Sequence, residues 1–135
     1  MIYILDTNII SQARRADRAS EIGKWLAAQE ETALFLSVVS IGEIERGIVL
    51  QERRNPEFAH DLRLWLERTV RLFSDRLIDF GHADAMRWGA LSARIGHSGA
   101  DLMIAAQALT RDATVVTRNI SDFAPAGVRL FDPLS

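Results

Sequence analysis

Short, almost continuous apolar runs alternate along this chain with longer segments whose apolar residues recur every three or four positions. The first run, Ile2-Tyr3-Ile4-Leu5, is β-branched and aromatic and stops at Asp6-Thr7-Asn8, which predicts a strand buried on both faces. Residues 33–39, 77–80, 113–116 and 128–131 read the same way. Between them the period changes. Ile22, Trp25, Leu26 and Gln29 predict a helix over about 20–30, with Asp17 or Ser20 as its cap. Ser40-Ile41-Gly42-Glu43 has the form of a capping box, opening a helix that carries Ile44, Ile48 and Val49 on one side and runs to about Arg54. Asn55-Pro56 breaks it. From Pro56 a longer helix shows Phe58, Leu62, Trp65, Leu66, Thr69 and Phe73 on one stripe. A helix over 83–95 and another from near Asp101 through Leu109 flank Gly96-His97-Ser98-Gly99.

Strands separated by helices need crossover connections, so the pattern predicts a five-stranded, mostly parallel sheet with helices on both faces. The sequence shows no repeat, linker or low-complexity segment, and residues 1–135 read as one α/β domain.

Composition narrows the chemistry. With 135 residues, 48% hydrophobic, the chain is long enough to bury a core without covalent staples. Cysteine is absent, which removes disulfides, thiolate metal sites and thiol nucleophiles. A formal net charge of −2 gives no global attraction to nucleic acid, so any polyanion site must be local. Lys24, the single lysine, precedes Trp25, which rules out a phosphate-binding P-loop, and no G-x-G is present for a dinucleotide. No apolar run is long enough to span a bilayer, and only four apolar residues separate Met1 from Asp6. A cytoplasmic protein with no membrane association is expected.

Ligands of open parallel sheets gather beyond the carboxyl ends of the strands. Asp6 ends the first strand, Glu43 follows the second, Asp101 opens a late helix, and Asn119 and Asp122 follow the run 113–116. Each has a plain structural reading on its own. Asp6 suits an N-cap, Glu43 a capping box, Asp101 the positive end of a helix dipole, and Asp122 a turn. Together they converge on one sheet edge, where clustered carboxylates repel unless protons or cations lie among them. Mg²⁺ or Mn²⁺, with a phosphate-bearing substrate, suits such a donor set.

Asp6-Thr7-Asn8 after an N-terminal strand, Glu43-Ile44-Glu45-Arg46-Gly47, Gly99-Ala100-Asp101-Leu102-Met103-Ile104-Ala105-Ala106, and Thr117-Arg118-Asn119 with Asp122-Phe123 resemble the blocks of PIN-domain proteins. The likeness is narrower to VapC- and FitB-type toxins of toxin–antitoxin pairs, and the blocks occur in order over nearly the whole chain. The resemblance implies a three-layer α/β/α sandwich and a metal-dependent endoribonuclease. It further implies Mg²⁺ or Mn²⁺ held chiefly by Asp6 and Asp101, with Glu43 as a third acidic group and Asp122 as a further catalytic one. Asn8, Thr117, Arg118 and Asn119 fall at substrate-facing or supporting positions. RNA as substrate, a VapB-like antitoxin and a homodimer are the partners it implies. Many relatives carry Asp where this chain has Asn119, so one firmly held metal is expected, with a second recruited by substrate.

Arg14, Arg15 and Arg18 follow the first block and Arg46, Arg53 and Arg54 the second, where they could hold RNA phosphates or simply line solvated helix faces, with Glu45 pairing at i,i+4. Ser37, Ser40 and Thr117 could bind a phosphate or orient ligands. His60, His82 and His97 share no ligand spacing and receive no role. Trp25, Trp65 and Trp88 fall on packing stripes. Two other readings remain at this stage. One is a catalytically silent scaffold of the same fold; the other is a receiver-like phosphoacceptor domain, which would need a lysine after a late strand.

Overall fold

The structure, a computed structural model, describes residues 1–15 and 20–134. Asp17 and Arg18 lie outside the described residues. Five short strands, β1 (Tyr3–Leu5), β2 (Leu34–Ser37), β3 (Leu77–Ile78), β4 (Thr114–Val116) and β5 (Arg129–Phe131), form one sheet in the order β3-β2-β1-β4-β5. Every neighbouring pair is parallel. The helices are α1 (Thr7–Arg15), α2 (Glu21–Ala28), α3 (Val38–Glu52), α4 (Pro56–Leu72), α5 (His82–Ile95), α6 (Ala100–Arg111) and α7 (Ile120–Phe123).

Side-chain alternation along the strands splits the interior into two cores, one on each face of the sheet. Ile4 of β1 and Val115 of β4 pack with Leu91, Leu102, Ile104 and Phe123, beneath α5, α6 and α7. Leu5, Leu36 and Val116 face the other way, against Ile9, Ile10, Ile44, Ile48 and Leu66 of α1, α3 and α4. The result is the expected three-layer α/β/α sandwich with a five-stranded parallel sheet. Trp25 packs on the second face, edge-on to Tyr3 and stacked on Phe131 with ring centroids 5.2 Å apart in both pairs.

The order of strands places β2 on one side of β1 and β4 on the other. The chain therefore reverses its winding direction at β1, and a crevice opens beyond the carboxyl ends of β1 and β4. Asp6 N–H donates to Val116 O across it, at 2.9 Å.

Two local expectations need correction. The segment Ser40–Glu43 is not a capping box, because α3 begins earlier, at Val38, with Ser37 as its cap. Ser37 Oγ accepts from Val39 N–H and donates its own proton to the buried Gln107 Oε1 of α6, so a contact far away in sequence fixes the helix start. Glu45 pairs not with a neighbour on its own helix but with Arg63 of α4, through two bonds of 2.8 and 2.6 Å. That pair locks α3 to α4, and it lowers the pKa of Glu45 mainly through the hydrogen bonds from Arg63.

Asp84 is the other structural carboxylate, and its side chain is only 4% exposed. Burial pushes its pKa up, but hydrogen bonds from Arg111, Thr110 and Gly81 N–H outweigh this and bring it down to about 2. Asp84 is therefore charged in the fold at any pH where it would be half-protonated unfolded. Its stabilising contribution is complete above the unfolded pKa of ~3.9 and disappears as pH falls through about 2. Asp84→Asn should cost about 2 kcal/mol at pH 7 by urea unfolding, with a smaller difference at pH 3. Equal losses at both pH values would mean that packing, not charge, holds this corner.

Candidate active site

At the crevice, Asp6 follows β1 and is 3% exposed. Its two oxygens are fixed from two strands. Oδ1 accepts from Thr7 N–H at 2.8 Å, and Oδ2 accepts from Thr117 Oγ1, beyond β4, at 2.8 Å. Thr117 Oγ1 in turn accepts Asn119 N–H at 2.9 Å, so the turn after β4 is tied to the carboxylate of β1.

Thr7, the first residue of α1, reaches the opposite wall. Its Oγ1 lies 2.6 Å from Glu43 Oε1 and 2.7 Å from Ser40 Oγ. With one proton to give, it serves the carboxylate and leaves Ser40 to donate to it. The chain Ser40–Thr7–Glu43 holds one oxygen of Glu43, on α3, while the residue itself stays exposed. Asp101 enters from the first turn of α6 and Asp122 from α7, after β4.

Electrostatics shows that these groups sense one another. Asp6 is raised to about 6, first by burial and then by the negative charges of Asp101 and Glu43, against the opposing bonds from Thr117 and Thr7. Asp101 is raised too, by burial and by Asp122 and Glu43. Among the described residues, none of the four carboxylates makes an ion pair with Lys or Arg. Arg118, expected from sequence at a substrate-facing or supporting position, is exposed just beyond β4, with its Nε 3.9 Å from Asp132. Asn8 and Asp122 are exposed, and Asn119 is half-buried just before α7.

His97, assigned no role from sequence, lies close enough that a positive charge on it would favour the ionised form of Asp101. Its Nδ1 accepts Gly99 N–H at 3.2 Å, which leaves Nε2 to carry the proton of the neutral ring. No spacing rule could have singled it out, because its partner at the site comes through a loop turn. Of the three hydroxyls singled out, Ser37 is a buried cap directed into the core, Ser40 bonds the Thr7 hydroxyl that holds Glu43, and Thr117 donates to Asp6. Arg14 lies over the rings of Phe58 and Trp65 on α4, and it lines a cavity shared with Thr7 and Glu43.

A buried carboxylate with further acidic groups beside it and no cationic partner suits a hard divalent cation. Such an ion takes one or two carboxylates and keeps water in its remaining positions. Among the described residues no group of three or more His, Cys, Asp or Glu side chains stands close enough to hold a metal by itself. Asp6, buried and without a cationic partner, and Asp101, half-buried, offer carboxylate oxygens of the kind such an ion takes.

Comparison with known proteins places this arrangement. The chain is 30% identical over 139 residues to plasmid stability protein StbB of Pseudomonas syringae pv. tomato, covering 98% of each. It is 28% identical over 137 residues to VapC ribonuclease Y4jK of Sinorhizobium fredii, covering 98% of this chain and 97% of that one. Its fold superposes on the crystal structure of FitAcB from Neisseria gonorrhoeae with a TM-score of 0.84 at 28% identity, over 98% of this chain and 99% of the other. No helix among the described residues is long and apolar enough to cross a membrane. The profile of the PIN domain family matches residues 3–124, and the chain belongs to that family, closely related to its VapC- and FitB-type toxin–antitoxin ribonucleases.

Proposed function

We propose that the chain is a Mg²⁺- or Mn²⁺-dependent endoribonuclease, the toxin of a toxin–antitoxin pair. The observation that carries the reading is the buried, uncompensated Asp6 at the strand-order reversal, with Asp101, Glu43 and Asp122 acting on the same small volume. The relationship to VapC ribonuclease Y4jK supports the reaction class.

Asp6 and Asp101 would hold the metal ion. When bound, the ion supplies positive charge to a phosphodiester oxygen and makes a nearby water more acidic. The chain's own residues do the rest. Thr117 and Thr7 N–H fix Asp6 in one rotamer, so the position it offers is set before anything binds. Thr7 holds Glu43 Oε1, leaving Oε2 free to take a proton from the attacking water as a new P–O bond forms, while the ester P–O bond breaks and its leaving oxygen takes a proton from solvent. Asp122 adds negative charge beside Asp101, in the place where Asn119 brings none. The turn carrying Thr117 and Asn119 closes the crevice on the β4 side.

As partners we infer an RNA substrate, a VapB-like antitoxin and a second copy of the chain, in a single domain working in the cytoplasm. The close likeness to the FitAcB structure supports the antitoxin.

Purified, antitoxin-free protein incubated with total RNA should cut it with Mg²⁺ or Mn²⁺ and stop on addition of EDTA. If folded protein binds the ion and leaves RNA intact, the reading falls in favour of a silent scaffold. Asn119→Asp would then show whether the missing charge is the reason.

A further inference from the structure

Beside the acidic site, three helical stripes meet around a cavity of about 350 Å³. Thr7, Ser11 and Arg14–Arg15 lie along α1, Glu43, Gly47 and Gln51 along α3, and Phe58, Leu62 and Trp65 along α4, each set at helical spacing. Thr7 and Glu43 belong to both the cavity wall and the acidic site, so whatever fills the cavity touches the reacting group's neighbourhood. Its volume lies at the small end of the ~300–1,000 Å³ typical of ligand sites.

Two features say what would fit. The Arg14 guanidinium lies 5.6 Å from the Phe58 ring centre and 5.9 Å from that of Trp65, so cation and aromatic faces share one wall. Flat nitrogenous rings stack on such surfaces, and the amide of Gln51 and the hydroxyl of Ser11 can hydrogen-bond their edges. The second feature is Gly47. It sits in the interior of α3, where glycine costs ~1 kcal/mol relative to alanine, yet a Cβ there would meet nothing within 4 Å. No contact inside the fold requires glycine at this position. Its effect is to leave the cavity wall bare.

We propose that this cavity is a nucleobase subsite, taking a base one step from the scissile phosphate of a single-stranded RNA. Arg14 and Arg15 offset the repulsion that the carboxylates exert on the flanking phosphate. The subsite deepens the ribonuclease reading and rests on it for its link to cleavage, but its occupancy by a base is measurable without any cutting.

The test is titration of the protein, in Mg²⁺ buffer, with the four nucleoside 5′-monophosphates and with ribose 5-phosphate, followed calorimetrically. At least one nucleotide should bind roughly tenfold or more tightly than the sugar phosphate, the scale of one stacking contact. Gly47→Leu, which fills the cavity from a helical position, should abolish that preference, and Gly47→Ala should largely keep it. Thermal melting of both variants establishes that they fold. Trp65→Leu provides an independent arm and should weaken the nucleotide without weakening ribose 5-phosphate. Equal binding of nucleotide and sugar phosphate, or an unchanged preference in Gly47→Leu, overturns the proposal. Metal-dependent RNA cleavage accompanied by either result would sink the subsite and leave the ribonuclease standing. Base binding without cleavage would do the reverse.

Discussion

Asp101→Asn is expected to lower RNA cleavage ~10²–10³-fold, the scale on which one charged or hydrogen-bonding group acts on charge developing in a transition state. The structural cost of this substitution should be small. Asp101 is partly exposed in the first turn of α6, and among the described residues its carboxylate accepts no hydrogen bond. Its charge is opposed by those of Asp122 and Glu43 and in turn acts on Asp6. Asparagine keeps the shape and removes a negative charge, so affinity for a divalent ion should fall while the thermal midpoint holds or rises. Single-turnover cleavage of a defined RNA at saturating Mg²⁺ separates loss of ion from loss of chemistry. Activity within threefold of wild type would show that Asp101 is only a favourable charge at a helix start. His97→Gln should have a far milder effect, because it leaves all four carboxylates in place.

The architecture was legible because its signals are local. A β-branched run ended by Asp6-Thr7-Asn8, the stripe from Phe58 to Phe73 and the turn at Asn55-Pro56 each declare an element without reference to the rest of the chain. Asp6, Glu43, Asp101 and Asp122 could be assembled because a parallel sheet sends its strand ends to one edge. What failed depended on contacts between distant residues. The start of α3 follows from Ser37 meeting Gln107 across the core, and the fate of Glu45 follows from Arg63 on the next helix. The 3.9 Å contact of Arg118 with Asp132 is another link between separate segments that sequence order gives no reason to expect. The short helix α7 was hidden as well, because four residues are too few to show a period. Thr7 illustrates the same limit from within a recognised block. Its hydroxyl ties α1 to α3 through Ser40 and Glu43, a role set by tertiary geometry and carried by no spacing in the sequence.

Asp6→Asn should abolish cleavage and, without divalent ions, stabilise the protein. Burial and the charges of Asp101 and Glu43 raise Asp6 from 3.8 to about 6, even with two hydrogen bonds favouring its ionised form. A carboxyl that is harder to ionise folded than unfolded opposes folding once the unfolded chain releases its proton. The penalty is absent below about pH 4, grows as pH rises toward 6 and is constant above that. Asparagine never ionises, and its amide can donate to Thr117 Oγ1 while its carbonyl accepts Thr7 N–H. The variant should therefore gain about 3 kcal/mol over wild type at pH 8 in EDTA, and little at pH 4. At this chain length that is roughly 10 °C in midpoint. Mg²⁺ should narrow or reverse the order, since an ion that binds the folded wild type stabilises it by mass action and has lost a principal ligand in the variant. Thermal melts at the two pH values, with EDTA and with Mg²⁺, test each step. An Asn variant less stable than wild type at pH 8 in EDTA would mean that the fold compensates the Asp6 charge by itself, and the case for a cation at this crevice would lose its physical basis.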